Sequence, residues 1–342
     1  MKVKLPSFVR SLLYPMIDFA WEKWLFPHNY NPRRTIIVSG TPRGGTTWLA
    51  ETLAATPGYL QLFEPLNPWH IVETVANAPG LLHLWEPLHP LQSGASGSPG
   101  IGEDLYATPK CLLHEHIKRT ISGKIRFTEY YPLRSALRNM KRVDRLILKF
   151  IRANLLLHWM LREFDLKGAL IIRHPCAVVA SQLHQRRVEG WKADLQLLER
   201  MRRDQFPIYE QFDPSFVSVI RSVKTDEELL ALEWCIRTIV PLRQPKPHPW
   251  VLTVYESLIE DIKEWEMLCG HLDCPLPSKD VIARPSSTYQ RKGNEASRGP
   301  SVDNWRRHLS EKQIDDILRV CAEMGVDFYD KTPYPKNLDK YR

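Results

Sequence analysis

The join between Thr35-Ile-Ile-Val-Ser39 and the loop that follows it constrains this chain more than any other feature. Ser39-Gly-Thr-Pro-Arg-Gly-Gly-Thr-Thr-Trp48 reads SGTPRGGTTW. A short apolar run without polar alternation suits a strand buried on both faces, as in parallel sheets. Gly44 and Gly45 let backbone N–H groups approach an anion where a helix begins. The frame is close to the phosphate-loop pattern G-x-x-x-x-G-K-[ST]. Gly40, Gly45 and Thr47 fit it, but Thr46 stands at the lysine position and the loop's strong cation is Arg43. A nucleoside triphosphatase needs that lysine and a magnesium site, so the ordinary ATPase reading loses weight. What remains is a cradle for a phosphate-like group, with Thr46 and Thr47 as added hydroxyl donors. Taken alone, the loop is also readable as a plain strand–helix turn.

The rest of the chain alternates strands with helices. Further strands are expected at Leu60–Phe63, Arg145–Lys149, Ala169–Arg173 and Trp250–Tyr255. Helices are expected at Thr46–Thr56 and Ala153–Phe164, after the first-turn proline Pro175, after Tyr255, and between Val302 and Gly325 with Ser310 as N-cap. The pattern predicts an α/β fold, a P-loop-like parallel sheet of about five strands covered by helices on both faces. Ligands of such sheets bind beyond the carboxyl ends of the strands. The expected organisation is an N-terminal helical segment (1–34), one domain (35–330) and a C-terminal tail (331–342). Ser93–Gly102 and residues 291–301 read as flexible loops.

Charge narrows the ligand class. Net charge is +8, which suits a polyanionic ligand or an anionic surface. Without zinc-finger spacing or an aromatic RNA-binding motif, nucleic acid is not an expected partner. The six cysteines contain no C-x-x-C pair, which favours a reducing compartment, and the expected location is cytoplasmic. Cys269, His271 and Cys274 lie close together but lack a second ligand pair for a metal, so they read as an ordinary loop. Residues 5–26 are rich in aromatics, are interrupted by Arg10, Asp18, Glu22 and Lys23, and contain Pro15. They make a poor signal peptide, and no uninterrupted apolar stretch reaches the length of a membrane span. Docking on the core is the first reading of this segment, and peripheral contact with a membrane interface is the second.

A second anchor lies in Leu170-Ile-Ile-Arg-His-Pro-Cys-Ala-Val-Val-Ala-Ser181. Arg173 ends a strand and Ser181 sits two turns into the next helix, so the two can converge on one phosphate. Together with the glycine loop, this pair resembles the sulfotransferases that use 3′-phosphoadenosine 5′-phosphosulfate (PAPS). Thr41–Trp48 resembles the family's 5′-phosphosulfate loop, and Arg173 with Ser181 its 3′-phosphate motif. The closest motifs are those of carbohydrate and tyrosylprotein sulfotransferases. Phe63-Glu-Pro-Leu66, Leu148-Lys-Phe-Ile-Arg152, Val254-Tyr-Glu-Ser-Leu258 and Val302-Asp-Asn-Trp305 also resemble family segments, over roughly residues 35–330.

The resemblance implies PAPS as donor, adenosine 3′,5′-bisphosphate as product and no metal. It implies Glu64 as general base, with Arg43 and Lys149 at the transferring sulfonyl group. Arg43, Gly44, Gly45, Thr46 and Thr47 would hold the 5′ side of the donor. Trp48 and Tyr255 would lie by the adenine, with Ser286, Ser287 and Thr288 also near the cofactor. Arg291-Lys-Gly293 resembles an R-K-G segment of cytosolic members but lies further from the D-x-W segment than theirs does. The cytosolic family carries lysine at the Arg43 position, and its catalytic histidine has only a loose counterpart in His114 or His116. The implied acceptor is a hydroxyl, with a glycan or glycolipid sugar favoured and Ser93–Gly102 and Trp191 shaping its pocket. The alternatives are a non-catalytic bisphosphate-binding module and a P-loop nucleotide kinase. Oligomeric state is not readable from the sequence.

Overall fold

The computed structural model describes residues 7–21, 23, 26–65, 112–124, 143–151, 154–188, 215–287 and 302–342. Five strands, β1 (Ile36–Gly40), β2 (Tyr59–Phe63), β3 (Arg145–Phe150), β4 (Lys167–Ile172) and β5 (Trp250–Val254), form one sheet in the order β2-β3-β1-β4-β5. Every pairing is parallel. The helices are α1 (Ser7–Ala20), α2 (Thr46–Leu53), α3 (Leu112–Ile121), α4 (Leu157–Glu163), α5 (Pro175–Val188), α6 (Phe216–Ser222), α7 (Asp226–Leu242), α8 (Tyr255–Glu260), α9 (Ile262–Leu272), α10 (Lys279–Ile282) and α11 (Glu311–Glu323).

The apolar runs are buried on both faces because alternate side chains enter different cores. Ile37, Leu148, Leu170 and Leu252 join one core with residues of α4, α5, α7 and α11. Ile36, Val38, Ile147, Ala169 and Ile171 join a second with residues of α2, α8 and α9. The α/β sheet expected from sequence is therefore present, with all five expected strands shifted by at most two residues at either end.

Some boundaries differ from expectation. The helix after the loop ends at Leu53 rather than Thr56, in a turn that leads to Gly58 at φ 83°. The run expected as one helix to Phe164 is a 3₁₀ turn (Asn154–Leu156) followed by α4. Tyr255 is the first residue of α8 rather than the last of β5. The terminal helix starts where Ser310 predicts it, in a reciprocal capping box with Gln313, and stops before Gly325 at φ 80°.

The N-terminal segment docks at its far end. Trp21 is buried and its indole N–H donates to Gly123 O at 3.0 Å. Phe26 packs edge-on to Tyr30 at 5.0 Å between ring centroids. Upstream, Leu13, Met16 and Phe19 stand exposed on α1. No helix among the described residues is long and apolar enough to cross a membrane. Residues near the C-terminus dock as well: Leu338 is buried, and Arg342 donates to the buried Glu264 of α9 at 2.7 Å.

Candidate functional site

The strand order sets where a ligand fits. The chain leaves β1 toward β2 on one side and leaves β4 toward β5 on the other, which opens a crevice between β1 and β4 at their carboxyl ends. The glycine loop lines it. Arg43 and Gly45 both take positive φ, 69° and 94°, on either side of Gly44, whose N–H closes a turn on Thr41 O at 2.9 Å. Left-handed residues in such a turn point successive N–H groups into a concavity that suits an anion. A Cβ at Gly45 would lie 2.4 Å from the Tyr255 ring, so the loop can pack there only as glycine.

The second anchor meets the first. Arg43 Nε donates to Ser181 Oγ at 2.9 Å, and Arg173 donates to Arg43 O at 3.3 Å. Gln182 donates to Pro42 O at 2.9 Å. The guanidinium of Arg173 lies 4.3 Å from the centre of the Tyr255 ring. Arg173 Nε and Thr41 Oγ1 are buried without a hydrogen-bond partner among the described residues. Buried polar atoms are normally satisfied, so this donor-rich crevice has hydrogen-bonding capacity left for a phosphate-like group. Arg43, Gly44, Gly45, Thr46, Arg173, Ser181 and Tyr255 are brought together by three strand ends.

A second cluster flanks the same loop. Glu64 follows β2 and Lys149 lies in β3, and the register places Phe63 opposite Lys149. The Lys149 ammonium forms an ion pair with Glu64 Oε1, and both side chains are 3% exposed. Glu64 Oε2 accepts from Ile151 N at 3.3 Å, and Glu64 N donates to Lys149 O at 3.0 Å. Glu64 itself takes φ 52°, an uncommon conformation for a residue other than glycine, of the kind found at functional sites. The lysine ammonium also sits 4.0 Å from the centre of the Phe63 ring.

Other expected residues sit around the loop. Trp48 lies in the core that backs the loop: it is 6% exposed, meets Tyr255 and Trp265 edge-on, and donates its N–H to Ile282 O at 3.1 Å. Ser287 spends its N–H and hydroxyl on Glu51 of α2, which fixes its segment against the helix of the glycine loop. Thr47 is in the first turn of α2 and partly exposed. Thr288, Arg291, Lys292, Gly293, Trp191, Arg152 and Ser93–Gly102 lie outside the described residues, as do the side chains of His114 and His116.

Three supporting residues were not singled out from sequence. His174 follows Arg173, donates its backbone N–H to Glu256 Oε1 at 2.9 Å, donates its ring Nε2–H to Asp330 O at 2.8 Å and stacks on Trp305 at 4.6 Å. Burial lowers its pKa to about 4, so the ring is neutral and Nδ1 accepts from Cys176 N. Glu256 is fully buried and also accepts from Tyr329 OH at 3.1 Å. Its pKa is raised, desolvation outweighing those hydrogen bonds. Asn154 accepts from Ser39 Oγ at 2.8 Å and donates to Arg237 O at 3.1 Å, tying the end of β1 to α7. A carboxyl inside Tyr-Glu-Ser-Leu was the only signal for Glu256, and nothing local marked its burial.

Among the described residues, no group of three or more His, Cys, Asp or Glu is arranged to hold a metal ion. No family model and no curated protein matches the sequence. Solved structures resemble the chain at low identity. The mouse sulfotransferase SULT7A1 complexed with PAP is 14% identical, with a TM-score of 0.42 over 90% of this chain and 92% of that one. The sulfotransferase domain of the Synechococcus PCC 7002 olefin synthase is 17% identical, with a TM-score of 0.33 over 90% and 99%. Sulfotransferase STF9 from Mycobacterium avium is 14% identical, with a TM-score of 0.41 over 90% and 80%. Likeness this weak assigns no residue a role.

Proposed function

We propose that the protein moves a sulfonyl group from PAPS to an acceptor hydroxyl, that of a sugar on a glycan or glycolipid. The observation that carries the reading is the convergence of Arg43, Arg173 and Ser181 in the crevice between β1 and β4, with the buried Lys149–Glu64 pair on the other side of the same loop. Two anchors suit a ligand with two separate phosphate-type groups. Thr46 in place of the loop lysine argues against a nucleoside triphosphate.

The donor supplies the sulfonyl group and an adenosine bisphosphate leaving group. The backbone N–H of Gly45 and the Thr46 and Thr47 hydroxyls hold its 5′ side, with Gly44 spending its N–H on the loop turn, and Arg173 and Ser181 hold its 3′-phosphate. Glu64 takes the acceptor's proton as the hydroxyl oxygen bonds to sulfur and the sulfur–oxygen bond to the 5′-phosphate breaks. Lys149 and Arg43 stabilise charge on the sulfonyl and leaving oxygens. Both carboxylate and ammonium are present in one buried pair, which favours an enzyme over a non-catalytic binding module.

Calorimetry with adenosine 3′,5′-bisphosphate and ADP tests the anchors: the bisphosphate should bind far more tightly, and equal affinities would refute the two-anchor reading. Labelled PAPS with fractionated glycans, lipids and proteins tests the chemistry. Label in the glycan or lipid fraction is expected, label in protein alone would overturn the sugar acceptor, and phosphate transfer from magnesium-ATP would mark a kinase. Glu64→Gln should lower kcat by about 10²–10⁴-fold with bisphosphate affinity unchanged.

A further inference from the structure

Cys269 and Cys274, which the proposed chemistry leaves unused, end α9 together. Asp273 takes a left-handed conformation at φ 52°. Asp273 N bonds to Gly270 O at 3.4 Å and Cys274 N to Cys269 O at 3.1 Å. This is a Schellman cap, in which the fourth-last residue of α9 and the second residue past its end bring their side chains into contact. Those positions usually carry apolar residues. Here both are cysteines, and the Cys269 thiol hydrogen-bonds to Cys274. Both are free thiols, Cys269 buried and Cys274 partly exposed. Arg145 braces the same turn, donating to Leu272 O at 3.1 Å and Asp273 O at 2.6 Å. His271, between the two cysteines, does not group with them as a three-ligand metal site among the described residues, so the pair is read as a dithiol.

We propose that Cys269 and Cys274 are a modification site, a dithiol that a low-molecular-weight disulfide oxidises to an intramolecular disulfide across the cap of α9. Cys274 is the attacking sulfur. It is the more exposed of the two, and the hydrogen bond from Cys269, with a further contribution from Arg145, holds its thiol below the usual range despite burial. Its thiolate attacks one sulfur of the oxidant, breaking the sulfur–sulfur bond and expelling one thiolate. Cys269 then attacks the mixed disulfide at Cys274, gives up its proton and releases the second thiol. The two protein thiols are oxidised and the small disulfide is reduced to two thiols. The backbone bond from Cys274 N to Cys269 O at 3.1 Å holds the two residues close enough to be compatible with the α-carbon separation of about 4.4–6.8 Å that a disulfide needs. Arg145 opens β3 and Lys167 opens β4, so the pair lies at the amino edge of the sheet, about 17 Å along the strands from the crevice. Oxidation should therefore tighten the cap and leave nucleotide binding alone.

The test uses the folded, reduced full chain with oxidised glutathione, followed by denaturation, blocking with N-ethylmaleimide and tryptic mapping. The peptide 264–279 contains both cysteines and no others. It is expected to lose about 2 Da and take up no blocking group. Cys269→Ser should trap glutathione on Cys274, and Cys274→Ser should leave Cys269 reduced. Phenylarsine oxide, a probe that bridges neighbouring thiols, should bind the reduced chain at this peptide and fail with either variant. A doubly blocked peptide, or a mixed disulfide that persists in the unsubstituted chain, overturns the proposal. So does oxidation that changes the affinity for adenosine 3′,5′-bisphosphate.

Discussion

Lys149→Met is expected to destabilise the protein far more than loss of a surface charge would, and a double-mutant cycle with Glu64→Gln shows why. Both members of the pair are 3% exposed, so water cannot replace the lost partner. Removing one member of a buried pair leaves an uncompensated charge and costs about 3–5 kcal/mol. That is a large share of the ~5–15 kcal/mol that holds a typical native protein together. The Ile151 N–H offers the orphaned carboxylate one remaining donor at 3.3 Å, which places Lys149→Met toward the lower end of the range. Glu64→Gln keeps an acceptor for the ammonium but removes the charge. The double variant buries two neutral groups of similar shape and should cost less than the sum of the singles by about 2 kcal/mol or more. Urea unfolding of the four proteins measures this, with the slope m required to stay constant. Additivity within about 0.5 kcal/mol would mean the two groups do not act as a pair and would remove the physical basis for the Glu64–Lys149 centre.

Four further outcomes follow from the same geometry. Arg173→Ala should weaken adenosine 3′,5′-bisphosphate by about 10–150-fold, the loss of a charge-assisted hydrogen bond worth ~1.5–3 kcal/mol, while calorimetry shows ADP little affected. Gly45→Ala should lower both bisphosphate affinity and Tm, since a left-handed non-glycine residue costs about 1–2 kcal/mol and its Cβ would lie 2.4 Å from Tyr255. His174 has a pKa near 4 when folded against 6.5 unfolded, so the unfolded chain takes up the proton first. Its contribution is complete above pH 6.5 and drains away as the pH falls to about 4, by up to ~3 kcal/mol. Glu256, raised by burial, works in the opposite sense and is present in both proteins, so the difference between the unfolding midpoints of the unsubstituted chain and His174→Gln isolates the histidine and should shrink as the pH falls from 6.5 to about 4. The exposed Leu13, Met16 and Phe19 of α1 should carry the full chain into the lipid fraction on flotation with anionic vesicles, and Met16→Lys should abolish this; no flotation of the full chain would remove the membrane reading.

The elements were legible because they are written locally. Five apolar runs, a glycine loop, Pro175 and the Ser310 cap each act over a few residues, and short-range sterics and hydrogen bonding suffice to read them. Parallel pairing followed from strands buried on both faces. Sequence could also single out Arg43, Arg173, Ser181, Glu64 and Lys149 by type and spacing. It could not say which of them meet. That Arg43 reaches Ser181, 138 residues away, depends on the strand order β2-β3-β1-β4-β5, which brings the ends of β1 and β4 together. The burial of Glu64 against Lys149 likewise depends on register across β2 and β3. Glu256 and His174 stayed unread because a carboxyl and an imidazole look the same in sequence whether solvated or sealed in a core. For Trp48, an aromatic beside a phosphate loop, sequence could not show how far α9 and α10 would close over it. Local preference decides which segments become strands and helices, whereas desolvation and charge pairing belong to groups far apart in the chain and exist only once the sheet has brought them together.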